Sequence, residues 1–173
     1  LDCNSYSLNV GPTFNFARYK FGNLSKTQGY LAGIHADMQH DHANGLHSKL
    51  RFDGRWNAGF VSGQNDRKAK IRDYRPEWHL GYSFDVDRCQ RLTLTPHAGL
   101  GFFYLSTKLS TEAVTRNYYN LYVPIGLELN WAAVDDCFDI GLAAEYRIDT
   151  WSRIKVKNPN LGSTSKLKLK RTH

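Results

Sequence analysis

No run of 18 consecutive apolar residues occurs anywhere in the chain, which excludes a membrane-crossing helix. No long stretch repeats its apolar residues every 3.6 positions either, so helix of any kind is nearly absent. Cysteine occurs three times, at Cys3, Cys89 and Cys137, too few for a disulfide scaffold and without the spacing of a zinc site. Methionine occurs once, whereas aromatics make up 13% of the chain, a composition that excludes low complexity and disorder. Acids are the minority charge: 16 Asp and Glu against 23 Lys and Arg leave a formal +7, which admits an anionic partner without choosing one. With 173 residues the chain makes one domain or two small ones, and a large multidomain enzyme is excluded.

What is there is a period of two. A first strand alternates Leu8, Val10, Pro12, Phe14 and Phe16 with Asn9, Gly11, Thr13, Asn15 and Ala17. Tyr30 to Gln39 and Leu50 to Phe60 continue it, followed by Trp78 to Val86, Leu92 to Tyr104, Tyr119 to Trp131 and Phe138 to Asp149. Leu167 and Leu169, alternating with Lys166, Lys168 and Lys170, read as the start of an eighth strand cut short. Connections alternate between long (21–28, 62–72, 106–117, 152–164) and short, with Asn44-Gly45 a primed-turn signal in the intermediate one at 40–48. The expected fold is therefore all-β: an up-and-down antiparallel barrel of eight strands in a single domain spanning 1–173. Pro12, Pro96 and Pro124 are expected at strand starts or bulges, because proline donates nothing to a ladder.

Alternation does not say which face looks inward. In a soluble lipocalin-like barrel carrying a small hydrophobic ligand, the apolar parity fills the interior and the wet parity carries Lys, Glu and Thr. Here the polar parity is rich in glycine, at Gly11, Gly33, Gly59, Gly81, Gly99, Gly101, Gly126 and Gly141, mixed with single charges. Glycine on an exposed strand weakens it for no gain, whereas in a narrow interior it makes room for large charged neighbours. Arg51, Asp53, Arg55, Asp85, Glu128, Glu145, Arg147 and Asp149 then form an interior charge network. On the apolar parity Trp56, Trp78, Tyr104, Tyr119, Trp131 and Tyr146 read as a girdle at a lipid–water interface. The reading preferred over the soluble carrier is a membrane barrel.

Around the long connections Arg18, Lys20, Lys26, Arg67, Lys68, Lys70, Arg72, Lys108, Arg116, Arg153, Lys155 and Lys157 make one rim basic, suited to phosphorylated glycolipid headgroups. His35, His40, His42 and His47 raise a metal hypothesis, but nothing nearby completes a coordination set, and no metal or other cofactor is expected. His97 with Glu128 or Ser83 is the constellation closest to a lipid-A-modifying enzyme; lying on the inward parity, it reads instead as an interior hydrogen-bond network, and no catalytic residue is assigned. All three cysteines fall on the short-turn side, where a Cys89–Cys137 bridge competes with free or intermolecular thiols. Nucleic acid is not expected, because the aromatics alternate with aliphatics and not with Lys and Arg.

The segment Leu94-Thr-Pro-His-Ala-Gly-Leu-Gly-Phe-Phe-Tyr104, with the strand parity and the alternation of connections, resembles the small bacterial outer-membrane β-barrel family of the OmpA and OmpX barrel domains. His97 departs from the aromatic residue usual in that Pro-aromatic-x-Gly-x-Gly motif. The resemblance covers residues 6 to about 151 as architecture. It implies a bacterial outer-membrane location in a Gram-negative cell, lipopolysaccharide headgroups as neighbours, and a structural or surface-interaction role through the long loops.

Overall fold

The computed structural model describes residues 4–21, 25–57, 69–86, 92–109, 114–134, 138–158 and 163–168. They form one antiparallel sheet and no helix: β1 (Ser5–Phe21), β2 (Ser25–Asp41), β3 (Leu46–Asn57), β4 (Ala69–Tyr82), β5 (Phe84–Asp85), β6 (Leu92–Leu109), β7 (Thr115–Val134), β8 (Phe138–Asn158) and β9 (Ser163–Lys168). β5 prolongs β4 past Ser83 and pairs in the same register with β6, so the nine segments are eight strands of an up-and-down meander. Among the described residues no ladder joins β9 or β8 to β1, and β9 covers the Arg153–Asn158 stretch of β8 alone.

Contacts across the sheet show how strongly it curls. Tyr19 on β1 donates to Asp73 on β4 at 2.6 Å, and Arg147 on β8 reaches Glu77 on β4 at 2.9 Å. Each pair is three strands apart, about 14 Å along a flat sheet. Bonds of hydrogen-bond length therefore demand a trough rolled most of the way round, as an eight-stranded barrel requires.

The strands run further toward the long connections than hydropathy indicated. The expected loops at 21–28, 106–117 and 152–164 give way to ladders that reach Phe21 and Ser25, Leu109 and Thr115, and Asn158 and Ser163. β4 begins at Ala69 and not at Trp78, which moves Arg72 from the expected loop onto a strand. The prolines are a second correction. Pro12 pairs with Ile34, Pro96 with Leu127 and Pro124 with Arg147, none at a register shift. Each has a ladder on one side: Pro12 lies on β1 at the end of the sheet order, Pro96 faces the break between β4 and β5, and Pro124 lies in the gap of the β6–β7 pairing between Ala98–Ile125 and Gly101–Tyr122.

The bulges fall elsewhere. Between Leu121 and Tyr122 of β7 the partner on β8 jumps from Trp151 to Asp149, and the extra residue, Thr150, donates its hydroxyl to Leu121 O at 2.8 Å. The β2–β3 connection also differs from the expected primed turn. Gly45 N donates to His42 O, which puts Ala43 and Asn44 at the turn centre, and Gly45 follows at φ +85, a left-handed conformation that glycine adopts freely.

Polarity is inverted relative to a water-soluble protein over most of the height. Phe14, Leu100, Leu127 and Leu142 on the convex face are exposed, while Asp73, Glu77 and His79 on the concave face are at most 2% exposed. On β7 the convex parity runs Leu121, Val123, Ile125, Leu127, Leu129 between Tyr119 and Trp131. Those twelve steps of about 3.3 Å, tilted by about 40°, climb about 30 Å. Toward the long connections the inversion ends: Lys70, Arg72 and Lys108 are exposed on the convex face, and Leu31, Ile71 and Leu105 close the concave face at 0–1% exposure with Phe103 and Tyr118 against them. That apolar cluster corrects the expectation that greasy side chains all point away from the axis.

Candidate functional site

The concave face carries a column of ions. At the short-turn mouth a polar cavity of about 280 Å³ is lined by Asp41, His47, Ser83, Thr95 and Glu128 among others. His47 Nδ1 lies 2.6 Å from Asp41, and Gln39 donates to the same carboxylate at 2.8 Å. Above the cavity Lys49 faces Glu128 at 3.6 Å.

Glu77 forms the hub. Its carboxylate takes Arg147 Nη2 at 2.9 Å, Arg51 Nη1 at 3.5 Å, His79 Nε2 at 3.2 Å and the Tyr122 hydroxyl. Arg147 Nε also donates to Glu145 Oε1 at 2.8 Å. A second hub is Asp73, wholly buried, which receives the Arg75 fork at 3.0 Å on both oxygens, Arg55 at 3.4 Å and the Tyr19 hydroxyl. His35 stands between Asp53 at 3.0 Å and Asp37 at 3.1 Å, and Asn120 donates to Asp149 at 2.7 Å. Burial of the two hubs is tolerable because Glu77 and Asp73 each meet cations and donors on several sides; a lone buried charge costs several kcal/mol.

Seven of the eight residues read as an interior network make contacts in this column, Arg51, Asp53, Arg55, Glu128, Glu145, Arg147 and Asp149, although the last three, on β8, are exposed. Asp85 does not join it. It is exposed at the short-turn rim and accepts from Thr93 at 3.2 Å. The two hubs, Asp73 and Glu77, were missed, with Arg75 and the hydroxyls of Tyr19 and Tyr122. Their stretch of β4 pairs Ile71, Asp73, Arg75 and Glu77 with Lys70, Arg72, Tyr74 and Pro76, so neither parity is apolar and the hydropathy signal vanishes where the chemistry is densest.

The aromatics divide by height. Tyr74, Tyr104 and Tyr119 sit in one cross-strand row, their rings 6.1 and 5.2 Å apart, with Lys155 Nζ over Tyr119 at 5.2 Å. Trp56 lies just above, opposite Arg72, and Trp131 pairs with Leu92 and Ile140 near the short turns. Trp78 and Tyr146 are corrections to the girdle: they pair with Leu50 and Leu100, and with Ile125, at mid-height among aliphatics. A strand starting at Trp78 would put that ring at its end, whereas β4 starts nine residues earlier, at Ala69.

The four histidines around the first turn do not gather. His40 stacks on Tyr6 on the convex face, its ring 4.0 Å from that centroid and 3.8 Å from His42, while His35 and His47 are taken by aspartates inside. Among the described residues His97 makes no hydrogen bond or ion pair with Glu128 or Ser83, whose partners are Lys49 and Thr95. Instead His79, His97 and Glu145 converge, a grouping among the described residues able to share a metal ion. Cys3, Cys89 and Cys137 lie outside the described residues, as do Arg67 and Lys68. Comparison with protein-family models, curated proteins and solved structures finds no match for this chain.

Proposed function

We propose that the chain is an outer-membrane β-barrel of a Gram-negative bacterium, allied to the OmpA and OmpX barrel domains, with a structural or surface-interaction role and no catalytic one. The observation that carries this reading is the reversal of polarity along single strands. β4 and β8 turn apolar side chains outward and ions inward for part of their length, and β6 turns Thr95 and His97 inward; all three do the opposite beyond the Tyr74–Tyr104–Tyr119 row. A surface apolar over about 30 Å and basic just above an aromatic row fits a bilayer and its headgroup layer.

The headgroup partner follows from charge. Above the row Lys70 pairs directly with Lys108, Arg72 lies two residues along β4, and Arg153, Lys155 and Lys157 continue the convex face on β8. No ion pair with an acid is found for these six among the described residues. Like charges opposite each other destabilise a ladder unless anions lie between them, which the phosphates of lipopolysaccharide supply. The ion column and its apolar cap argue for a plugged interior over a conducting one, and contact with external proteins belongs to the connections on the basic side.

Refolding into phosphatidylcholine vesicles with and without lipopolysaccharide tests the reading. Insertion, a heat-dependent gel mobility shift and tighter lipopolysaccharide retention that Lys108→Glu with Lys157→Glu reverses are expected. A monomer that stays soluble without detergent would contradict it and favour the ligand carrier.

A further inference from the structure

Two imidazoles and a carboxylate meet one pleat above the short-turn cavity. His79 on β4, His97 on β6 and Glu145 on β8 bring one ligating atom each to within 4.8 Å of one another. His79 Nδ1 and His97 Nε2 both stand 4.0 Å from Glu145 Oε2. That is too long for a hydrogen bond. It is about half an ångström wider than the edge, roughly 3.4 Å, of a tetrahedron of ligands about 2.1 Å from a central metal.

The surroundings orient every member. Glu77, held between Arg51 and Arg147, lies 3.2 Å from His79 Nε2; an ionised carboxylate accepts from Nε2, which fixes the ring with Nδ1 toward Glu145. Arg147 holds Glu145 Oε1 at 2.8 Å, which leaves Oε2 for the imidazoles. Three atoms able to ligate therefore face one another across about 4 Å with no hydrogen bond among them. His97 is 8% exposed and His79 2%, and His97 Nδ1 has no hydrogen-bond partner.

Glycine makes the approach of the rings geometrically feasible. Gly81, His97, Gly126 and Glu145 form one cross-strand row over four neighbouring strands. A Cβ at Gly126 would lie 2.5 Å from His97 Nε2, so its absence lets the ring lie across β7 toward Glu145.

We propose that His79, His97 and Glu145 bind one divalent transition-metal ion, zinc by preference, inside the sheet. Two imidazoles and one carboxylate suit zinc, with water as the fourth ligand. Glu77 is the outer carboxylate that fixes the first imidazole. The ion enters from the mouth, where Thr95 and Glu128 line the cavity one pleat below His97 and Gly126. Bound there, it ties β8 to β4 and β6 across the intervening β7. This inference stands on the interior alone and does not depend on what covers the convex face.

The test uses the full chain refolded in detergent micelles, stripped with a chelator and titrated with zinc chloride by calorimetry. One equivalent is expected, with an unfolding midpoint that rises with zinc concentration. His97→Gln and Glu145→Gln are expected to weaken zinc at least tenfold while keeping a cooperative unfolding transition. Removing the convex-face imidazole that stacks on Tyr6, with His40→Ala, leaves binding unchanged. If either interior variant does not refold, X-ray absorption of the zinc-loaded wild type decides, with two imidazole nitrogens at about 2.0 Å expected. No uptake by the wild type, equal uptake by the interior variants, loss confined to His40→Ala, or a spectrum without two imidazoles would each overturn it.

Discussion

The two ends of the trough obey opposite rules. Toward the short turns and through the middle, His79, His97, Glu77 and Glu145 face inward, and Trp78, Leu80, Leu100 and Tyr146 face outward. Toward the long connections Leu31, Ile71 and Leu105 face inward, and Lys70, Arg72 and Lys108 face outward. Both patterns have period two and belong to the same strands, so the difference is not one of secondary structure. Under the proposed function it records a change of solvent. Where water surrounds the sheet, burial of apolar area drives side chains inward; where hydrocarbon surrounds it, apolar groups lose nothing by facing out and polar groups must find partners inside. The aromatic row is the seam between the two regimes.

Breaking the ionic end should cost most. Glu77→Ala leaves Arg51 and Arg147 without their shared acid, and the loss expected is about 3–5 kcal/mol, read from urea unfolding in micelles. A loss below about 1 kcal/mol would mean that water already solvates that hub. At the apolar end Leu105→Ala opens a cavity against Leu31 and Ile71 for about 2–4 kcal/mol in the same titration. A neutral outcome there would show the cluster to be loosely packed. An arginine on the convex face sharpens the contrast: Leu100→Arg costs about 2–4 kcal/mol in bilayers, and Ser106→Arg, above the seam, about 0–1 kcal/mol. In a soluble protein the two would be alike. The smallest effect expected is at the bulge, where Thr150→Val removes the bond to Leu121 O for about 1 kcal/mol and leaves the fold intact.

How much of this the sequence disclosed follows the same seam. Below it, alternation with one constant apolar parity made the strands from Leu8, Leu92, Tyr119 and Phe138 legible, together with seven charges of the interior. Above it the alternation persists with its sign reversed, and a reading that follows one apolar parity takes reversed strand for loop. Ala69 to Glu77 disappeared for that reason, and Asp73, Arg75 and Glu77 with it. On β8 the extra Thr150 adds a change of parity, so that Ser152, Ile154 and Val156 turn inward where Glu145, Arg147 and Asp149 did before. The His79–His97–Glu145 convergence could be found only from register. Its members lie 18 and 48 positions apart along the chain, and only the pairing of Gly81, His97, Gly126 and Glu145 in one row brings them together.

Depth-resolved accessibility of two positions on β6 tests the seam directly. With the three native cysteines replaced by serine, spin labels are placed at Leu100→Cys and at Ser106→Cys of the chain refolded in vesicles. Molecular oxygen, which concentrates in hydrocarbon, should relax the label at position 100, and a water-soluble nickel chelate the label at 106. Equal access of the nickel chelate to both positions would contradict a bilayer around the middle of the sheet.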